Sequence, residues 1–273
     1  MKTKKKLIII AGGIVVTILL VIAFIPSIMQ GLGMHPRYDG PTFKAEGRKA
    51  LVITTSHDVL APVGETEGKE TGVASSELTH PYYVFLEAGM EVDLASIKGG
   101  KIPIDPSGLS YPVITDEDKR SLKDPIFQAK AKNSIKIDDI NFAEYDVVFL
   151  SGGWGAAYDL AQSDVLAQKI SDAYYSEKKT IIGGVCHGPL GLVNAKDKQG
   201  NLLIAGRIMT GVTDKQVEEL GIEFTPKHPE TELKKAGAIF ESSTAFRDVF
   251  ATHVTVDDEK RFVTGQNQNS GLE

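Results

Sequence analysis

The chain has 273 residues, 42% of them hydrophobic, and a formal charge of −6 at pH 7. That is enough apolar material for one α/β domain plus an appendage, and a mild negative charge with no basic cluster in its body excludes nucleic acid as a partner. A single cysteine excludes an intramolecular disulfide.

The chain opens with four lysines in Met1–Lys6, followed by 23 uncharged residues, Leu7–Met29. At 1.5 Å of helical rise per residue this run is long enough to cross a hydrocarbon core. It exceeds the apolar region of a cleaved signal peptide, and Pro26-Ser27-Ile28-Met29-Gln30 is a poor cleavage site. Residues 1–30 therefore read as a signal anchor, with the membrane as a partner through residues 7–29. The lysines should stay cytoplasmic and the rest of the chain face outward, although Arg37, Lys44, Arg48 and Lys49 weaken the asymmetry. Residues 31–48, with glycines, two prolines and no period, read as a linker to a domain spanning 49–273.

Within the domain, apolar runs at Ala50–Thr54, Glu91–Ala95, Asp146–Leu150 and Thr180–Val185 read as parallel strands covered on both faces. Ser76–Ala88 reads as a helix stopped by Gly89, with Pro81 in its first turn or bending it. Ser56–Ser75 is too irregular for a helix. Asp116–Asn133 holds an exposed helix, and Gly99–Leu109 is a turn-rich excursion without evident chemistry. Ser163–Glu177 is an amphipathic helix with a serine at its start. Leu202–Thr210, Ala238–Glu241, Val249–Val256 and Arg261–Thr264 supply further short strands, and Glu230–Ala236 a helix. This alternation predicts a flavodoxin-like, doubly wound, mostly parallel sheet between helix layers, with ligands at the carboxyl ends of the strands.

The only cysteine, Cys186, falls where the strand ending at Val185 gives way to Gly188-Pro189 and the apolar, helix-length run Leu190–Ala195. A side chain at such an elbow projects above the sheet edge, and the positive end of the next helix should lower the thiol pKa and make a nucleophile. The alternative is a small buried hydrophobe. Gly152-Gly153-Trp154-Gly155 follows the strand that ends at Leu150. Its spacing is not that of a dinucleotide-binding loop, so its N–H groups are read instead as facing the cysteine, where with that of His187 they hold a developing oxyanion.

Gly184-Val185-Cys186-His187-Gly188-Pro189 resembles the nucleophile elbow of the ThiJ/PfpI group in the class I glutamine amidotransferase-like superfamily, in its glyoxalase III, deglycase and holding-chaperone branch. Glu77-Leu78-Thr79-His80-Pro81, Gly99–Pro106, Ser151-Gly152-Gly153, Thr210-Gly211-Val212-Thr213 and Thr264-Gly265-Gln266-Asn267 agree with the same family, in its order, from about Lys49 onward. The resemblance implies a Cys186 nucleophile, His187 as base or positioning group, and Glu77 as an acid hydrogen-bonded to the sulfur. It implies no cofactor and a small carbonyl substrate, a 2-oxoaldehyde such as methylglyoxal. The rival readings are a cysteine peptidase or amidase and a holding chaperone or oxidation sensor. A homodimer is compatible with the sequence.

The family's third acid aligns with Val217, leaving Asp214 and Glu218 as substitutes. Trp154 stands where relatives often have histidine and reads as a wall of the substrate pocket. His228-Pro229-Glu230 imitates the His-x-Glu pair of true amidotransferases but lies too close in sequence to Cys186, so it is read as a decoy. Glu77 and His80 are two groups short of a zinc site, and His57 and His253 read as solvated or strand residues.

Overall fold

The computed structural model describes residues 2–272. In chain order the strands are β1 (Lys49–Thr54), β2 (Val59–Leu60), β3 (Lys69–Glu70), β4 (Glu91–Ser96), β5 (Ile135–Lys136), β6 (Val147–Leu150), β7 (Ile181–Val185), β8 (Ile208–Met209), β9 (Ile239–Phe240), β10 (Val254–Val256) and β11 (Phe262–Gly265). The helices are α1 (Lys2–Gly31), α2 (Ser75–Glu87), α3 (Asp116–Ser121), α4 (Pro125–Lys132), α5 (Ala156–Asp159), α6 (Asp164–Tyr174), α7 (Asp214–Glu219) and α8 (Pro229–Lys235).

Seven strands form the central sheet in the order β10-β11-β7-β6-β1-β4-β5. Every pairing in it is parallel except β10 against β11. Side chains alternate across a strand, so β1 serves two layers at once. Ala50 and Val52 pack with Leu78 and Tyr82 of α2 and Phe127 of α4, whereas Leu51 and Ile53 pack with Leu166 and Ile170 of α6 on the other face. Both faces are thus buried, which is why β1 reads as an unbroken apolar run.

Several helix starts follow from local chemistry. Ser163 caps α6 by accepting the Leu166 N–H at 3.1 Å. The Asp124 carboxylate caps α4 with Pro125 at the first helical position, and that cap divides the single helix expected over 116–133 into α3 and α4. The run 202–210 contributes only the two residues of β8, which pairs with β9 outside the main sheet. Val249–Val256 begins as the 3-10 turn Asp248–Phe250 and becomes a strand only at Val254. Beyond the elbow the chain makes a five-residue 3-10 turn, Gly188–Leu192, in place of the helix expected over Leu190–Ala195.

Within α1, the 23 residues Ile9–Gly31 are long and apolar enough to cross a membrane, and none of them is buried by the domain.

Candidate active site

β6 and β7 are neighbours, so their carboxyl ends bring Gly152-Gly153 and Cys186 together. Cys186 has a φ of 59°, in the left-handed region that a non-glycine residue rarely occupies. The turn is held from both sides: the Cys186 N–H donates to the Gly265 carbonyl at 3.0 Å, and its carbonyl accepts from Val212 N–H at 3.1 Å. A consequence is that the adjacent side chains of Cys186 and His187 converge, with Sγ 3.4 Å from Nδ1.

Glu77 reaches the sulfur from the first turn of α2 and is 1% exposed. A Cβ at position 152 would lie 2.5 Å from Glu77 Oε2 and 2.6 Å from the His187 nitrogen, so only glycine lets the acid and the elbow close on each other. Burial pushes the Glu77 carboxyl up to about 8, against hydrogen bonds from the Cys186 thiol and the Gly152 N–H. A helix N-terminus favours a charged carboxylate, but by at most about 2 kcal/mol, too little to offset such burial. Glu77 is therefore a protonated acid at neutral pH.

The thiol behaves in the same direction. Burial and then the charge of Glu77 raise Cys186 well above its ordinary value, while the N–H groups of Gly153 and His187 act against that rise. The expectation of a thiolate favoured by a following helix is thus corrected: the helix is a short 3-10 turn, and Cys186 is only 8% exposed. Sulfur and carboxyl form a coupled pair whose first proton is lost above neutrality. His187 is fully buried and held near 3, first by burial and then by the charge of His228, so its imidazole is neutral. Among the described residues its Nε2 has no hydrogen-bond partner, and its ring meets Trp154 at 5.0 Å between centroids.

A cavity of about 370 Å³ opens over these groups. Trp154 lines it, together with Ser76, Asp105 and Asn267. Asp105 corrects the view of 99–109 as empty of chemistry: it is buried, accepts from the Thr71 hydroxyl at 2.8 Å and fixes the loop through Ser107. Its signal lay in the Pro103-Ile104-Asp105-Pro106 motif, which local turn chemistry alone would explain.

Neither proposed substitute for the third acid enters the cavity. Asp214 accepts from Thr231 Oγ1 at 2.7 Å and lies 3.4 Å from His228 Nδ1, and Glu218 is exposed to solvent. Val217 instead packs with Val185, Cys186 and Val212, so the place of the family's acid is an apolar wall. His228 is partly exposed and outside the cavity lining, paired with Asp214. His80 is buried with Nε2 3.4 Å from Glu117, and His57 stacks on Tyr158 at 4.0 Å. Among the described residues, no three His, Cys, Asp or Glu side chains are arranged to hold a metal ion.

The sequence profile of the DJ-1/PfpI family matches residues 69–269. The chain belongs to the DJ-1/PfpI family. Glyoxalase 3 of Candida albicans is 32% identical over 236 residues, covering 82% of this chain and 94% of that protein. The glutathione-independent glyoxalase HSP31 of Saccharomyces cerevisiae is 29% identical, over 82% and 93% of the two chains. Among solved structures, the Rapid Encystment Protein 24 kDa of Francisella tularensis superposes with a TM-score of 0.74 at 32% identity, over 82% of this chain and 94% of that one. The structure of glyoxalase III from C. albicans gives 0.72 at 28% identity, over 82% and 93%.

Proposed function

We propose that this DJ-1/PfpI protein is a glyoxalase III-type enzyme that converts small 2-oxoaldehydes such as methylglyoxal into 2-hydroxy acids, with Cys186 as nucleophile and no added thiol. The supporting observation is the placement of one sulfur between a protonated carboxyl and a neutral imidazole at the base of a cavity of about 370 Å³.

The steps follow from that arrangement. The Cys186 thiol passes its proton through His187 to the carbonyl oxygen as its sulfur adds to the aldehyde carbon, giving a hemithioacetal and leaving the imidazole neutral. Neutral His187, whose Nδ1 lies at the sulfur, is in the protonation state needed to accept the former aldehyde proton, leaving an enediol. The Glu77 carboxyl relays a proton to the neighbouring carbon, which is reduced as the first carbon is oxidised to a thioester. Water then cleaves the C–S bond, releasing the 2-hydroxy acid and restoring the thiol. The N–H groups of Gly153 and His187, directed at the sulfur, supply donors for oxyanions formed next to it.

A peptidase would need a histidine supported by an acid, whereas among the described residues His187 Nε2 has no hydrogen-bond partner. On this reading the doubly wound domain stands outside the cytoplasm, tethered by α1 and the linker at 31–48. The test is methylglyoxal turnover without glutathione by the purified full chain, with 2-hydroxy acid as the product; a folded protein that forms none would overturn it.

A further inference from the structure

The wall of the Cys186 cavity is completed by two residues from the segment that leaves α1, Met34 and His35. The family profile begins at residue 69, so this part of the wall lies outside it. The segment is pinned across the cavity. α1 ends in a tight turn, with Gly33 N–H donating to Gln30 O at 3.0 Å and Met34 N–H to Met29 O at 2.9 Å. Gly33 has φ 106°, and a Cβ there would meet the Phe250 carbonyl oxygen at 2.7 Å. His35 adopts φ 47°, and its N–H donates to Asn269 Oδ1 at 2.7 Å. A histidine held in the left-handed region persists only where its surroundings over-determine it.

The remaining contacts act on the same two residues. Gln268 Nε2 lies 3.8 Å from Met34 Sδ, and the His35 ring meets His80 edge-on at 5.7 Å. Burial and then His80 hold His35 down near 4, so it packs as a neutral ring. Asn267 and Gln268 line the cavity and the adjacent Asn269 and Phe250 hold the strap, so wall and strap share one C-terminal scaffold.

We propose that Met34 and His35 are substrate-contacting residues of this site: the juxtamembrane strap forms one wall of the cavity and disfavours aryl or branched 2-oxoaldehydes relative to methylglyoxal. The substrate class rests on the function proposed above, whereas the wall that the strap supplies to the Cys186 cavity does not. Gly33→Val displaces the strap from Phe250 without altering a cavity residue. His35→Asn removes the ring while keeping a residue that tolerates the left-handed conformation.

Both variants are compared with wild type as full-length protein in detergent, at equal unfolding midpoints. Because Cys186 is the only cysteine, alkylation reports on it alone. The rate ratio of N-phenylmaleimide to iodoacetamide should rise about tenfold or more in each variant, the scale on which a closed pocket rejects surplus carbon. The kcat/KM ratio of phenylglyoxal to methylglyoxal should rise in parallel. Unchanged alkylation ratios in both variants would overturn the strap. Raised alkylation ratios with no turnover of either aldehyde, by wild type or variants, would overturn the substrate-contact assignment with the glyoxalase reading, the wall itself remaining supported.

Discussion

Replacing Glu77 by glutamine should stabilise the protein while crippling its turnover. Unfolded, the carboxyl titrates at 4.5; folded, burial raises it to about 8. A group raised in this way favours the fold fully below its unfolded value and loses that contribution as pH climbs to its folded value. Between those limits the folded chain holds a proton that the unfolded chain has released, so stability falls with rising pH. At pH 7 this disadvantage is about 3 kcal/mol, taking ~1.4 kcal/mol for each pH unit above the unfolded value. The substituted amide has nothing to protonate, keeps the shape and leaves an N–H donor for the sulfur. For a domain of this size the variant should therefore melt roughly 6–12 °C higher at pH 7. The gain should shrink to nothing as pH is lowered to 4.5, the unfolded value. Calorimetric melts of both proteins across that range, with aldehyde turnover at each pH, make the test. Turnover should fall by about a hundredfold, the usual worth of a positioned proton donor. Melting curves that stay parallel from acid to neutral pH would refute a protonated Glu77.

Iodoacetamide should alkylate Cys186 at a rate still rising at about pH 9, since burial and the Glu77 charge hold the thiol up; a plateau below neutrality would contradict that. Gly152→Ala should fold with a loss of about 1–3 kcal/mol and lose most turnover, because the added methyl separates Glu77 from the elbow. Equal activity and stability in that variant would show that the approach is not needed. Protease added to intact cells should digest residues beyond the linker; digestion only after lysis would reverse the proposed orientation, and a soluble product of reduced mass would replace the anchor with a cleaved signal.

The sheet is legible in the sequence because its central strands are buried on both faces and leave unbroken apolar runs such as Ala50–Ile53. The elbow is legible for the same reason, with one cysteine at the end of such a run. The ionisation state is not: sequence spacing shows a turn and a dipole but not the packing of Val212, Val217 and Trp154 around the sulfur, and burial outweighs the dipole. Glu77 is legible only through resemblance, because a carboxylate in the first turn of a helix is ordinary by itself. Asp214 and Glu218 are near the right place along the chain, yet the Thr213 capping box orients α7 so that Val217 and Gln216 face inward. Met34 and His35 lie in a linker without periodicity, and their place in the cavity wall depends on contacts with residues more than two hundred positions away.

The most direct measurement is to follow methylglyoxal by NMR in the absence of glutathione, with wild type, Cys186→Ser and His228→Ala at matched stability. Wild type and His228→Ala should form lactate, whereas Cys186→Ser should form almost none, since an alcohol lacks the nucleophilicity of the sulfur. Lactate formation by Cys186→Ser at a rate near that of wild type, or its loss in His228→Ala alone, would contradict a site built on Cys186, His187 and Glu77.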